Sequence, residues 1–180
     1  MFETMPPESL LGVVRGLDVD EVPVIERGHV RIEAVKALDV AIRAAQAEQA
    51  SQIAALLDER TKLMVGTGDP VISVIGEVAM ARTIGPAAAS TQIELAMALQ
   101  RLPQVHALFA AGTISEATAR AVAVETRSLH VDDVVVADGE IAAKIAGMTT
   151  TQARQCAARV TIGLDAEAAH DRARRNRADQ

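Results

Sequence analysis

The sequence contains almost no aromatic residues: of its 180 residues, two are phenylalanine and none is tyrosine or tryptophan. Strands draw heavily on aromatic and β-branched residues, so this scarcity argues against a β-sheet protein. Alanine dominates every long segment, and a core of small aliphatic side chains suits closely packed helices. We therefore predict an all-α fold, a multi-helix bundle.

Cysteine and long apolar runs are also scarce. The one cysteine, Cys156, excludes an internal disulfide framework and a cysteine-rich zinc site. No uninterrupted apolar segment approaches the length that spans a membrane, and the first residues carry acids where a signal peptide needs positive charge. We expect a cytoplasmic protein without a membrane partner.

The chain has no excess of basic residues, since its formal net charge is −6. Nucleic-acid binders usually present a basic face, because neutralising phosphates supplies most of their affinity. The local basic concentration lies near the C-terminus, at Arg172, Arg174, Arg175 and Arg177. On a helix these arginines form a stripe that can follow a phosphate backbone, although the negative end of the helix dipole explains such cations equally well.

Recognisable catalytic groupings are absent as well. The four histidines are isolated in sequence, with neither paired spacing nor cysteine knuckles; they are His29, His106, His130 and His170. Asp132 and Asp133 are adjacent, so they point to different sides of a helix and are better explained as favourable charges at a helix start. We predict no enzymatic activity, no metal and no cofactor.

The chain divides into an arm and a helical domain. Residues 1–27 contain three prolines and little helical periodicity, which indicates a loosely ordered arm. Residues 28–180 form the predicted helical domain. It begins with a long amphipathic helix from about Val30 to Leu57, because apolar residues recur there at helical spacing.

Capping residues mark the later helices. After a loop over 61–69, Asp69 and Pro70 predict a helix start, and the helix runs to about Thr83. Further helices are expected over 87–101, 103–111 and from Ser115, with Gly112 ending the second of them. Residues 131–147 read as a helix interrupted at Gly139, with a short strand at 134–136 as the alternative. Thr149 or Thr150 caps the next helix, and Asp165 caps a terminal one.

The most informative stretch is 77–99, where a short apolar helix, a Gly-Pro break and a second helix predict a helix-turn-helix-like unit. Ala81 and Gly85 would permit a tight turn, with Met80 and Ile84 as apolar buttresses. The second helix would present Ser90, Thr91 and Gln92 to a DNA groove. Phosphates would be bound by Arg82, by Arg101 and by the four terminal arginines. An ordinary helical hairpin is the alternative, since Thr91 and Glu94 fall where the standard motif prefers apolar residues.

Three features together carry a family resemblance: Leu-Pro at 102–103 before a short helix, the run AGTISEA at 111–117, and the closing arginine-rich helix. Over roughly residues 30–180 the chain resembles the 13E12 repeat family, a bacterial domain of unknown function commonly found ahead of an HNH endonuclease module. The resemblance implies that the domain continues beyond Gln180, with the nuclease further downstream, so this chain looks truncated. It lacks the HNH part, and the nuclease activity is not carried over.

These observations favour a non-catalytic helical domain that binds DNA or positions a nuclease module. Two alternatives remain open at this stage. One is a helical protein-interaction module that packs on a copy of itself or on a partner, and the other is a non-functional remnant of a longer gene.

Overall fold

The computed structural model describes residues 5–64, 66 and 68–178, without the side chains of residue 165 and residues 167–178. Within this part the chain forms eight α-helices and one 3₁₀ turn at Val19–Glu21, and no strand. The all-α prediction is confirmed. The helices in chain order are α1 (Pro7–Arg15), α2 (Val24–Leu63), α3 (Pro70–Arg82), α4 (Pro86–Arg101), α5 (Pro103–Ala110), α6 (Glu116–Glu125), α7 (Val131–Ile145) and α8 (Thr150–Ala178).

Helix α2 is the axis of the molecule. Its 40 residues span about 60 Å at 1.5 Å per residue. Helix α1 packs on its N-terminal half, whereas α3, α4 and α5 pack on its C-terminal half. Helices α6 and α7 both pack on α8 and complete the body through contacts with α4 and α5.

The core consists of two separate clusters. The larger one joins the C-terminal half of α2 to α3 and every later helix, and Phe109 is fully buried in it. The smaller one contains Leu10 of α1 and Ala37 of α2, with partly buried neighbours from both helices. Small side chains let these helices approach closely, as the composition predicts.

The segment predicted to be a loosely ordered arm contains α1 and the 3₁₀ turn. Helix α1 begins at a proline, and Leu10 is buried against α2. Arg27 donates hydrogen bonds to the carbonyls of Val22 and Asp20 and ties the connection to α2. Packing on α2 stabilises α1, and the prediction of a loosely ordered arm missed this helix. The division of the chain at residue 27 stays a prediction.

The expected capping residues are found in place. The Asp69 side chain accepts a hydrogen bond from the amide of Val71 at 2.8 Å, and Ser115 accepts one from the amide of Thr118 at 3.2 Å. Thr149, not Thr150, caps α8, because its hydroxyl accepts from the Gln152 amide and Gln152 accepts from the Thr149 amide in return. This reciprocal pair is a capping box.

Three boundaries differ from the prediction. Helix α2 extends beyond both expected ends, and α7 continues through Gly139, so the predicted interruption and the strand alternative are wrong. A Cβ at Gly139 would lie 3.3 Å from Nε2 of Gln104, so this glycine serves the close approach of α5 to α7. Helix α8 runs unbroken past residue 165, and no helix starts at Asp165. Gly163, within α8, weakens the helix without ending it.

None of the described helices taken singly has both the length and the apolar composition needed to cross a bilayer. Helices α3 and α4 meet that test only when they are joined, and they are bent by 112° relative to each other.

Candidate functional site

The segment that the sequence marks as a helix-turn-helix candidate forms two helices around a sharp turn. Helix α3 ends at Arg82, α4 begins at Pro86, and the chain bends by 112° between them. Val74 and Val78 of α3 are buried against the body, as are Ala89 and Ile93 of α4. We refer to residues 70–101 as the α3–α4 unit.

The turn of the α3–α4 unit places its left-handed residue at Thr83, where φ is 54°. The amide of Thr83 donates to the carbonyl of Met80, and the amide of Ile84 donates to that of Ala79, as in a Schellman motif. Glycine usually occupies this position, and a β-branched residue there is strained. Gly85, expected to permit the turn, has extended backbone instead, so that expectation is wrong.

The two predicted buttresses behave differently. Ile84 is partly buried and packs against the main core, as expected. Met80 is 77% exposed, so it does not support the turn. Met80 follows the exposed residues Ile72 and Gly76 at four-residue intervals, and this spacing places all three on the outer face of α3.

The three predicted base-reading residues do not face the same way. Thr91 is exposed, and its hydroxyl donates to the carbonyl of Ala87 at 2.9 Å. Ser90 is partly buried, and its hydroxyl lies 3.5 Å from a carboxylate oxygen of Glu94. Gln92 points toward α2, because it follows the buried Ala89 by three residues and lies on the same face of the helix.

Gln92 lines a narrow cavity together with Gln46 and Gln49 of α2. Its Oε1 atom is buried there, and no described residue donates a hydrogen bond to it. This placement is unfavourable for contact with a groove, and the role of Gln92 stays a prediction. The physical reason is tertiary: α2 covers the side of α4 on which residue 92 lies.

The predicted phosphate-binding arginines lie at opposite ends of α4. Arg82, beside the turn, is exposed and forms no ion pair within the described part of the chain. Arg101 donates to the carbonyl of Leu129 at 2.9 Å and so ties the end of α4 to the connection between α6 and α7. At 1.5 Å per residue it lies about 15 Å along the helix from Thr91.

Sequence reasoning missed Arg120 of α6, which the fold brings next to Thr91. Its guanidinium donates to the carbonyl of Thr91 at 2.8 Å and to the carboxylate of Glu116 at 2.6 Å. The spacing from Glu116 to Arg120 indicates a surface ion pair, but nothing local indicates that α6 lies beside α4. Charges around Thr91 are thus mixed, with Arg82 and Arg120 opposed by Glu94 and Glu116.

The four terminal arginines fall in the part of α8 whose backbone is helical through Ala178. The side chains of Arg172, Arg174, Arg175 and Arg177 lie outside the described residues, and so does that of His170. Their predicted role in phosphate binding stays a prediction.

Among the described residues there is no group of three His, Cys, Asp or Glu side chains that could hold a metal ion. The fold does bring His106 to Ser51, with Nε2 of the histidine 3.1 Å from the serine hydroxyl. That hydroxyl also donates to the carbonyl of Ala47 within its own helix. Cys156 is buried, as its apolar neighbours in the sequence suggest.

The sequence signature at 111–117 serves the packing of the helices. Gly112 has φ of 70°, and a Cβ there would lie 2.7 Å from the carbonyl oxygen of Val40. The Thr118 hydroxyl bonds both Ser115, the cap of α6, and Thr150 at the start of α8, so it joins the beginnings of these helices. Leu102, in the other signature, is 1% exposed.

A buried carboxylate supports the same region. Asp138 of α7 is 1% exposed, and its two oxygens accept hydrogen bonds from the backbone amides of Gln104 at 2.8 Å and Val105 at 3.0 Å. These amides belong to the first turn of α5, whose own N-cap residue, Leu102, has no polar side chain. Sequence analysis missed this role because the cap comes from a different helix.

Comparison with known proteins gives one finding. Neither the curated proteins nor the solved structures include a significant match to this chain. A protein-family model described as "Domain of unknown function (DUF222)" matches residues 31–180, which include α2 from residue 31 and all of α3 to α8, and the chain therefore belongs to the DUF222 family.

Proposed function

We propose that this DUF222 domain associates with DNA through the start and the exposed face of α4, and that it does so without catalysing a reaction. The shape of the α3–α4 unit carries the proposal. Helix-turn-helix motifs join two helices by a turn of 3–4 residues at about 90–120°. Here three residues, 83–85, separate helices that are bent by 112°.

The start of α4 is suited to a phosphate. Its N-cap, Gly85, offers no side chain to the first amides, and residues 86–88 are exposed. Backbone amides at a helix N-terminus carry partial positive charge and bind anions. Arg82, exposed at the end of α3, adds a full charge on the other side of the turn.

The arrangement favours backbone contacts over base reading. Gln92 is turned toward α2, and Ser90 is partly buried. Of the three residues predicted to contact bases, Thr91 is therefore the one that is exposed on α4. Glu94 on the same helix opposes close contact with phosphate. We infer a binding mode with low sequence selectivity and strong dependence on salt, in which Arg82 and the terminal arginines supply the charge.

The strained turn supports a functional role for this unit. Backbone strain tends to persist where it serves function. Thr83 holds a left-handed conformation in the middle of the α3–α4 unit, although glycine would relieve that strain. A strained residue beside the exposed Arg82 is consistent with a surface that is used.

The resemblance to 13E12 repeat proteins gives the proposal its context. In that family the helical domain commonly precedes an HNH endonuclease module, and DNA association by the helical domain would hold such a module near its substrate. We propose that this chain acts in the same way toward a nuclease module on the same or another polypeptide.

Titration of a fluorescent DNA duplex by anisotropy at several salt concentrations tests the proposal. The logarithm of the binding constant should fall linearly with the logarithm of salt concentration, and Arg82→Ala should reduce that slope by about 1. Arg174→Ala with Arg175→Ala should reduce it further. Arg15→Ala, which removes an exposed arginine on α1, is the matched control and should leave the slope unchanged. The absence of binding at low salt would rule the proposal out.

A second candidate function, a helical interaction module, is favoured by one observation. The N-terminal half of α2 carries an exposed apolar face, which supports contact with a partner helix.

A further inference from the structure

Large apolar side chains stand on one face of the N-terminal half of α2 with more than half of their surface exposed. Their spacing of seven, three and seven residues is the a and d spacing of a coiled-coil seam. The exposed fractions are 92% for Ile25, 56% for Ile32, 61% for Val35 and 56% for Ile42. We call these four residues the α2 stripe.

Helix α1 packs against the opposite side of α2. Its Leu10 contacts the cluster around Ala37, with Val40 and Ala41 beside it. Residue 37 lies about 200° around the helix from residue 35, at 3.6 residues per turn. Helix α1 therefore leaves the α2 stripe uncovered.

The α2 stripe continues a face that is buried in the same helix. Ile32 and Ala50 are separated by 18 residues, as are Val35 and Ile53, and 18 residues make about five turns, so each pair lies on one face. Ala50 and Ile53 are buried in the main core. The α2 stripe is therefore the uncovered continuation of the face of α2 that is buried in the main core.

We propose that a second copy of this chain covers the α2 stripe, with the two α2 helices packed antiparallel. A two-fold axis between residues 33 and 34 pairs Ile25 with Ile42 of the other copy and Ile32 with Val35. The same axis brings Asp39, the charged residue in the seam, opposite Gly28. Because glycine has no side chain, the Asp39 carboxylate is not crowded and stays in contact with water.

A parallel pairing of the two α2 helices fits the sequence of the stripe less well than an antiparallel one. It would bring Asp39 against Asp39 of the other copy, and two like charges in an apolar seam repel each other strongly. It would also place Gly28 opposite Gly28 and leave a gap. The sequence of the stripe is complementary to itself when reversed.

Four of the charges beside the stripe are paired within α2. On one flank Lys36 is paired with Glu33 at 2.7 Å, and Arg43 is paired with Asp39. These two cations are therefore neutralised by acids of their own helix before the two copies meet. On the other flank the partly buried Leu38 and the exposed Val24 are apolar, and the exposed Arg31 lies between them.

Sedimentation of the full chain without DNA tests the pairing. We expect a monomer–dimer equilibrium between about 1 µM and 1 mM that persists in high salt, and the double variant Ile32→Glu, Val35→Glu should raise the dissociation constant more than about tenfold. The equally exposed Ile162→Glu on α8 is the control and should leave the constant unchanged. The proposal is overturned if the wild type is monomeric across this range, or if the double variant dimerises as strongly as the wild type.

A charge-exchange experiment separates self-pairing from a general loss of solubility. The Glu double variant and its counterpart Ile32→Lys, Val35→Lys should each be monomeric, because like charges face each other across the axis. Mixed in equal amounts, they should form a heterodimer. Failure of the mixture to associate, with both variants folded by circular dichroism, contradicts the pairing of position 32 with position 35.

Engineered cysteines establish the direction. With an added oxidant, a mixture of the Ile25→Cys and Ile42→Cys variants should form a mixed disulfide between copies, whereas either variant alone should not. A disulfide from Ile25→Cys alone would indicate parallel helices and overturn the arrangement. Native Cys156 is buried and leaves the readout clear. These measurements use no DNA, so their outcome is independent of the proposed DNA association.

Discussion

The two halves of α2 differ in how many of their apolar residues are buried, and in which helices bury them. In its C-terminal half, α3, α4 and α5 bury Ala47, Ala50, Ile53 and Ala54 within a core that includes every later helix. In its N-terminal half, Ala37 alone is fully buried, and the partner is the nine-residue helix α1. Both halves carry apolar residues at helical spacing, and the elements packed around each half decide which of these residues are buried.

The comparison teaches where cooperative stability should lie. Local opening requires the least energy where few apolar groups are buried and most backbone hydrogen bonds face solvent. The body around the C-terminal half of α2 should therefore unfold as a unit, and α1 with its contacts should open first. The predictions below test that division, in order of expected effect.

The largest effect is expected for Asp138→Ala in the body. The change leaves two buried amides at the start of α5 without acceptors, and we expect the free energy of unfolding to fall by about 4 kcal/mol. Urea denaturation followed by circular dichroism measures it. Asp133→Ala, at the first turn of the same helix, is the matched control and should lower stability by about 0.5 kcal/mol. Similar losses for the two variants would contradict the capping role of Asp138.

Gly112→Ala should disrupt the close contact between residue 112, which follows α5, and Val40 in the N-terminal half of α2. The new Cβ would meet the carbonyl oxygen of Val40 at 2.7 Å, and φ of 70° is unfavourable for alanine, so we expect a loss of about 3 kcal/mol. Gly147→Ala has nearly the same φ, 74°, but no atom within 4 Å of the added Cβ, and should lose only about 1 kcal/mol. Urea denaturation of both variants separates the close contact from the backbone strain. Equal losses would mean that the approach to α2 contributes nothing.

Leu10→Ala tests the weaker region. Leu10 is 2% exposed, and its truncation should remove about 2 kcal/mol of local stability, since the cavity it leaves lies in the smaller cluster. Amide hydrogen exchange should show faster exchange in α1 and unchanged protection in α5 and α7. Faster exchange throughout the body would show that the two regions unfold together.

Helix positions could be predicted from the sequence where the signals are local. Asp69, Ser115 and Thr149 cap helices through hydrogen bonds to amides two or three residues away, and such short-range geometry is visible in a sequence. Gly112 likewise follows the end of α5 in a left-handed conformation, whereas the C-cap of α7 is Ala146, one residue before the left-handed Gly147. The all-α architecture followed from these signals together with the composition.

The candidate site was predicted less well, because its side chains depend on distant helices. Gln92 lies against α2, and Arg120 reaches Thr91 across 29 residues of sequence. Asp138 caps a helix that begins 35 residues earlier. Neither periodicity nor capping rules indicate which helices are neighbours. For the same reason α1 was not predicted, since α2 stabilises it.

The smallest effect concerns the ion pair that fastens α3 to the body half of α2. The guanidinium of Arg60 donates two hydrogen bonds to the Glu77 carboxylate, at 2.8 and 2.7 Å, and Ser73 donates a third at 3.2 Å. The hydrogen bond from Arg60 is the main cause that holds the pKa of Glu77 below its ordinary value of 4.5, and partial burial opposes it.

A carboxylate whose folded pKa is depressed stabilises the fold above its unfolded pKa, and the contribution is lost as pH falls through the folded value. Glu77→Gln should therefore be slightly less stable than the wild type at neutral pH, and the difference should vanish in acid below the ordinary value of 4.5. Urea midpoints measured from pH 7 downward give this difference. Arg60→Gln and the double variant complete a mutant cycle, in which the coupling should disappear over the same interval. A coupling near zero at every pH would show that α3 is held to α2 by the apolar contacts of Val74 and Val78 rather than by the ion pair. The body would then lack a titratable link.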